Sequence, residues 1–168
     1  MNPIRLGLIG VGNIGAHHAE YLLANKVNRC KLVGVCARTP DKLAKYAQRG
    51  VKTFNDAEEF LKSGEIDAVL IATPHYEHTS LGIAALEAGL HVMVEKPISA
   101  HKADAERLIA VRKKHPKLVF GAMFQLRTES RYAKIKKLLT EGHLGEITRF
   151  SWIVTDWFRT EAYYASGG

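Results

Sequence analysis

Short apolar runs alternate with helical patterns along almost the whole chain, and this alternation limits the folds open to it. The predicted strands are Ile4–Ile9, Leu32–Cys36, Val51–Phe54, Ile66–Ala72, Leu90–Val94 and Leu118–Met123. The run Ile66–Ala72 has no polar alternation, which is typical of a strand buried on both faces of a parallel sheet. The pattern therefore predicts an α/β fold with a doubly wound parallel sheet.

The length of 168 residues suits one domain and part of another. Residues 1–122 are predicted to form the sheet domain, and residues 123–168 are predicted to start an incomplete second α/β domain. Its first strand is predicted at Ile147–Trp157, which carries the large aromatics Phe150, Trp152 and Trp157.

Local signals also place two helix starts. Asn55 followed by Glu58 resembles a capping box, which predicts a short helix from this point. Ser99 is predicted to cap the long helix that reaches Lys114, because serine is a favoured residue at this position.

The charge balance is basic, with 24 Lys plus Arg against 17 Asp plus Glu, a formal net charge of +7. Such a charge can attract nucleic acid, a phosphorylated cofactor or an acidic substrate. The basic clusters Lys113–Lys114 and Lys134–Lys137 fit solvated helix faces, and no helix-turn-helix or aromatic platform accompanies them. A nucleic-acid partner is therefore not expected.

Cysteine usage and hydropathy predict a cytoplasmic protein. Cys30 and Cys36 form no C-x-x-C pair, so they are expected to be reduced core thiols. No apolar run approaches the ~20 residues of a membrane helix. The chain starts directly with a strand pattern and no basic leader, so neither a membrane span nor a signal peptide is expected.

A full G-x-G-x-x-G motif separates the first strand from the first helix. In this context it predicts a dinucleotide-binding turn of the Rossmann type. Gly10 would allow the tight turn, Gly12 would let the backbone approach a pyrophosphate, and Gly15 would let helix and strand pack closely. The predicted cofactor contacts in this turn are Gly10, Gly12, Asn13, Ile14 and Gly15. The alternative is a glycine-rich turn that binds no ligand.

The end of the second strand bears on the choice of cofactor. An NAD site usually has a carboxylate here on the ribose hydroxyls, but this place is held by Ala37, with Arg38 beside it. A guanidinium can pair with a 2′-phosphate, so NADP is favoured and NAD is the alternative. Thr39 would add a hydroxyl, although helix capping explains it too. Arg38 would otherwise stack on adenine or face water.

Two later strand ends supply further candidates. Thr73 and Pro74 are predicted to line the nicotinamide side of a crevice, and His75 with His78 lack an evident third ligand, so no metal site is expected. Glu95 and Lys96 end the next strand, and Lys96 is placed to orient a substrate hydroxyl and help move its proton. The alternative is an exposed lysine in a turn.

The residues together resemble the Gfo/Idh/MocA oxidoreductases. The resemblance rests on Gly10–Gly15, Ile66–Pro74, His78 and above all Glu95-Lys96-Pro97, and it covers essentially the whole chain. It implies a Rossmann domain, a second α/β domain with an open sheet, and hydride transfer between NAD(P) and a carbohydrate or cyclitol. It further implies that Thr73, Pro74, His78 and Glu95 lie at the cofactor and that Lys96 is catalytic, next to a proline that often follows a cis bond.

The resemblance also implies what this chain lacks. The family's second catalytic residue, a histidine of the substrate domain, has no counterpart here, so the chain is expected to bind cofactor without useful turnover. The full-length protein is expected to form a homo-oligomer. The rival function is a non-catalytic NAD(P)-binding or redox-sensing module.

Overall fold

The structure is a computed structural model that describes residues 2–155 and 158–165. The chain divides into two compact units between Phe124 and Gln125. Among the described residues, the first unit holds six strands and five α-helices, and the second holds two α-helices.

The strands of the first unit form one parallel sheet in the order β3-β2-β1-β4-β5-β6. Their bounds are β1 Ile4–Ile9, β2 Cys30–Cys36, β3 Lys52–Phe54, β4 Ala68–Ile71, β5 His91–Glu95 and β6 Phe120–Met123. All six predicted strands are present, and the doubly wound parallel sheet is confirmed. The strand order reverses between β1 and β4, where such sheets open a crevice at their carboxyl ends.

Helices connect the strands of this sheet. They are α1 Asn13–Leu23, α2 Ala44–Ala47, α3 Ala57–Lys62, α4 His78–Glu87 and α5 Lys102–Lys114, with 3-10 turns at Pro40–Lys42 and His75–Glu77. The cap of α3 is Asp56, whose carboxylate accepts from the Glu59 backbone N–H at 2.8 Å, one residue later than predicted. Ser99 does not cap α5, which begins after His101; its hydroxyl accepts from the Thr79 hydroxyl at 2.8 Å.

The central strands are buried on both faces, as the absence of polar alternation predicted. Adjacent residues enter opposite cores: Leu8 and Leu70 pack in one, and Ile9 and Ile71 in the other. The core with Ile9 includes the fully buried Phe60, Leu86 and Leu108, one from each of α3, α4 and α5. Because helices cover both faces of these central strands, the carboxyl edge of the sheet is where a polar site can form.

The second unit contains a 3-10 turn at Gln125–Arg127, then α6 Ser130–Thr140 and α7 Glu161–Ala165. The strand predicted at Ile147–Trp157 is wrong for the described residues, because positions 147–155 form no strand. A strand requires hydrogen bonds to a neighbouring strand, and no described segment pairs with this one. Trp157 lies outside the described residues.

Across residues 2–155 and 158–165, no helix combines the length and apolar character needed to cross a membrane.

Candidate functional site

The carboxyl ends of four neighbouring strands are level with one another. The register pairs Ile9 with Cys36, Ile9 with Ile71, and Ile71 with Val94. The residues that follow these strands therefore lie along one edge of the sheet. This alignment gathers the glycine turn, Ala37, Thr73 and Glu95 at the crevice predicted from the strand order.

The turn after β1 requires glycine at two positions for steric reasons. Gly10 has φ +91°, a conformation that other residues rarely adopt, and an added Cβ would lie 2.6 Å from the Ala72 carbonyl oxygen. A Cβ on Gly15 would overlap the Gly10 carbonyl oxygen. These two glycines shape the turn whether or not a ligand binds.

Gly12 differs, because the protein itself does not require glycine there. A Cβ at this position would have no atom within 4 Å, so it would point into open space. Gly12 precedes α1, where no side chain caps the helix and the first turn holds no acidic residue. Asn13 and Ile14, the other predicted contacts, are exposed beside it. Uncapped backbone donors facing open space fit a pyrophosphate group.

The end of β2 carries an ion pair that the sequence did not reveal. Nη2 of Arg38 lies 3.0 Å from Oε1 of Glu77, which ends the 3-10 turn after β4. Thr39 is exposed and makes no capping bond, so the capping alternative for its hydroxyl is not realised. A carboxylate therefore lies beside Arg38 even though Ala37 holds the usual acidic position.

His78 joins two of the loops at the crevice. Its ring is fully buried; Nδ1 lies 2.7 Å from the Pro97 carbonyl oxygen and Nε2 lies 2.9 Å from the Thr73 carbonyl oxygen. Both partners are backbone carbonyl oxygens, which are acceptors. The contact between His78 and a cofactor stays a prediction; in the structure the ring holds the backbone of the residues around it.

The Thr73 hydroxyl oxygen is buried and has no hydrogen-bond partner among the described residues. Pro74, which follows it, is exposed. An unpaired buried hydroxyl costs free energy. A polar group of a bound cofactor is the kind of partner that such a hydroxyl lacks, so the residues present fit a dinucleotide on this side of the crevice too.

Glu95 is a buried carboxylate that connects β5 to α1. Oε1 of Glu95 lies 2.7 Å from Nε2 of His18 in α1, and Oε2 accepts from the Lys96 backbone N–H at 3.2 Å. Glu95 is only 6% exposed, and buried charges are normally paired in this way. The pair holds the backbone of Lys96 beside the helix that follows the glycine turn.

Lys96 itself projects into solvent. Its side chain is exposed, and its ammonium group makes no ion pair with any described residue. The Lys96-Pro97 peptide bond is cis, as the family resemblance implied. A lysine held by its backbone, with a free ammonium group, is suited to contact a substrate oxygen.

Two residues of this site were missed from the sequence. Neither His18 nor Glu77 was among the predicted site residues. Each pairs with a residue far along the chain, Glu95 and Arg38 respectively. No local spacing relates such partners, so only the assembled sheet shows them.

The remaining reactive groups do not form a second centre. No group of three or more His, Cys, Asp or Glu placed to hold a metal occurs in the described part of the chain. Burial raises the pKa of Cys36 from 9.0 to about 11, with Asp56 and Glu59 adding to the effect. A buried thiol with a raised pKa is a poor nucleophile at neutral pH.

Comparison with known proteins decides the family. The model of an oxidoreductase family with an NAD-binding Rossmann fold, GFO_IDH_MocA, matches residues 4–122. The chain belongs to the Gfo/Idh/MocA family. This confirms the resemblance based on Glu95-Lys96-Pro97 and the glycine motif, and it makes the matched residues an NAD(P)-binding Rossmann domain.

Several relatives within the family are inositol dehydrogenases. Inositol 2-dehydrogenase of Salmonella paratyphi B is 30% identical over 147 residues, which cover 85% of this chain and 43% of that protein. The structure of scyllo-inositol dehydrogenase from Lactobacillus casei, with bound NAD(H) and scyllo-inositol, has a TM-score of 0.83 and 32% identity. That match covers 88% of this chain and 44% of the other.

A second solved structure differs in its cofactor. A 3-ketoreductase from Actinomadura kijaniata, in complex with NADP and TDP-benzene, has a TM-score of 0.75 at 28% identity, covering 84% of this chain and 43% of that one. These two solved relatives thus contain different cofactors, NAD(H) in one and NADP in the other. The chain spans less than half the length of these relatives.

Proposed function

We propose that this chain binds a nicotinamide dinucleotide along the carboxyl edge of its sheet. The observation that carries the proposal is the open space at Gly12, in front of the uncapped start of α1. The residues proposed to contact the cofactor are Gly10, Gly12, Asn13, Ile14, Gly15, Ala37, Arg38, Thr39, Thr73, Pro74, His78, Glu95 and Lys96. NADP is the favoured cofactor, because the Arg38 guanidinium can pair with a 2′-phosphate.

The activity proposed for the whole protein is hydride exchange with a hydroxyl of a cyclitol or sugar. The names of the inositol dehydrogenases support this substrate class. When bound, the nicotinamide ring supplies the hydride acceptor or donor. Lys96 would polarise the substrate hydroxyl, and the carboxylate of Glu95 would hold the Lys96 backbone in place.

The domain division is part of the proposal. Residues 1–122 would be the cofactor domain, and residues 123–168 would belong to a substrate and oligomerisation domain of a cytoplasmic homo-oligomer. The family match at 4–122 and the division between Phe124 and Gln125 support these bounds. Exposed apolar residues of the second unit, among them Trp152 and Ile153, support association with other chains.

Equilibrium titration tests cofactor binding directly. NADPH and NADH are titrated into the chain, and binding is followed by nicotinamide fluorescence and by calorimetry. We expect both to bind and NADPH to bind more tightly at low salt. Absence of binding by either cofactor to the folded chain would refute the proposal.

Lys96→Met separates binding from chemistry. We expect cofactor affinity to stay within about twofold, because backbone contacts and not the Lys96 side chain form the pyrophosphate site. In the full-length protein, hydride transfer from inositols, measured at 340 nm, should fall by about 10²–10⁴-fold. Lys102→Met, an exposed lysine of α5, is the matched control. Equal turnover by the two variants would remove Lys96 from the catalytic site.

A further inference from the structure

The ion pair between Arg38 and Glu77 spans the crevice from the β2 end to the segment after β4. Nη2 of Arg38 and Oε1 of Glu77 are 3.0 Å apart, and the Arg38 side chain is 80% exposed against 34% for Glu77. The strands behind these residues, β2 and β4, flank β1 on its two sides. The pair therefore lies over the strand that leads into the glycine turn.

We propose that Glu77 determines how strongly this chain discriminates between NADPH and NADH. The inference rests on the proposed function, since it concerns the ribose side of the same cofactor site. Ala37 leaves the β2 end without a carboxylate, and Glu77 supplies one from the other side of β1. The Glu77 carboxylate is paired with the Arg38 guanidinium when no 2′-phosphate is bound. The 2′-phosphate of NADPH has to displace this carboxylate, whereas NADH has no 2′-phosphate and does not.

The Glu77 carboxylate is expected to weaken NADPH binding modestly and not to abolish it. An arginine binds phosphate with two parallel hydrogen bonds, and a carboxylate on one of its nitrogens competes for the same donors. The competing ion pair is largely in solvent, where such pairs contribute little and exchange readily. The Glu77 carboxylate also repels a 2′-phosphate that comes close to Arg38. Both effects weaken NADPH binding and leave NADH with no such penalty.

Glu77→Gln tests the inference, because it removes the charge and keeps the shape of the side chain. We expect the ratio of NADH to NADPH dissociation constants, measured by calorimetry at low salt, to rise by about two- to fivefold. Glu87→Gln is the matched control, since it removes the same charge from an exposed residue at the other end of α4. The control should leave the ratio within about 1.5-fold of the wild type, because Glu87 lies a helix length away from Glu77 and its Coulomb interaction falls with distance.

A second pair of variants separates the ion pair from general electrostatics. In an Arg38→Gln background, Glu77→Gln should change the ratio by less than it does alone, since no guanidinium remains to be released. Glu77→Asp retains the charge on a side chain shorter by one methylene group, and it should give an intermediate ratio. Thermal unfolding of each variant identifies any that does not fold, and Glu77→Asp then carries the comparison.

The outcomes distinguish this inference from the function on which it rests. A wild-type chain that binds neither NADPH nor NADH overturns the proposed function and the inference together. A chain that binds both, with Glu77→Gln and Glu87→Gln giving the same ratio, overturns the inference alone. If Glu77→Gln changed the ratio of dissociation constants equally with and without Arg38, the discrimination would come from repulsion between Glu77 and the 2′-phosphate. That result would overturn the proposed competition between Glu77 and the 2′-phosphate for Arg38.

Discussion

The two units of the chain use similar helices in opposite ways. In the first unit α4 has ten residues and buries five of them: His78, Thr79, Gly82, Ala85 and Leu86. In the second unit α6 has eleven residues and buries none. Yet α6 has the clearer apolar stripe, with Tyr132, Ile135, Leu138 and Leu139 on one face.

The difference teaches that a helical pattern and a buried helix have separate causes. The stripe of α6 is enough to predict a helix, because i, i+3 and i+4 positions share a face. The burial of α4 comes from its neighbours: it packs against the sheet and beside α5, where a Cβ on Gly82 would lie 3.0 Å from Leu108. Tertiary packing provides most of the stability of such helices.

The largest expected effect compares the same substitution in both units. Leu86→Ala removes a fully buried side chain of α4, and the free energy of unfolding should fall by about 2–5 kcal/mol. Leu139→Ala in α6 removes a side chain that is 44% exposed, and the free energy of unfolding should fall by about 0.5 kcal/mol or less. Urea denaturation followed by circular dichroism measures both. Equal losses would mean that the units share one core.

Cofactor binding should depend on the first unit alone. Gly12→Val puts a side chain into the open space at the start of α1, and NADPH affinity should fall by about 100-fold, or about 2.7 kcal/mol. Trp152→Ser in the second unit should leave this affinity unchanged and reduce self-association, because Trp152 is 54% exposed. Titration and analytical ultracentrifugation test the two effects. A folded Gly12→Val chain with normal affinity would exclude this turn as the pyrophosphate site.

Cofactor preference provides a smaller and more specific test of the first unit. Ala37→Asp places a carboxylate at the β2 end, where it can accept hydrogen bonds from ribose hydroxyls and repel a 2′-phosphate. The preference for NADPH over NADH should shift toward NADH by about tenfold, which corresponds to about 1.4 kcal/mol. Ala24→Asp, an exposed position after α1, controls for the added charge. A shift of the same size in both variants would remove Ala37 from the ribose site.

The last test of the first unit is the alkaline pH dependence of its buried thiol. Cys36 has its pKa raised from 9.0 to about 11, so the folded state keeps a proton that the unfolded chain releases. The stability from this group is present below pH 9 and is lost as the pH rises toward 11. Cys36→Ala should therefore show a shallower decline of unfolding free energy over this interval. Parallel curves for the two proteins would contradict the pKa shift.

The agreement between sequence and structure is closest where the signal is local. All six strands and the glycine turn were predicted, because apolar runs and the spacing of Gly10, Gly12 and Gly15 act within a few residues. Even here the predicted start of one helix was wrong by one residue. Asp56 and not Asn55 caps α3, since two neighbouring residues were both good caps and only the chain's path selects one.

The strand predicted at Ile147–Trp157 shows what a local pattern leaves open. Phe150, Trp152 and Ile153 are good strand formers, but positions 147–155 have no strand beside them in the described chain. Instead the Trp152 ring stacks on Tyr132 with a centroid distance of 5.4 Å. β propensity reflects the fit to a neighbouring surface more than a backbone preference.

The sequence by itself determined the parallel α/β fold, the position of the glycine turn and the candidacy of Lys96, because each depends on residue types at short spacing. Only the tertiary structure decided how the side chains at the crevice are paired. His18 meets Glu95, Arg38 meets Glu77, and the His78 ring joins the Thr73 and Pro97 carbonyls. These partners come from different strand ends, and they become neighbours only when the register of β2, β1, β4 and β5 aligns those ends at one edge.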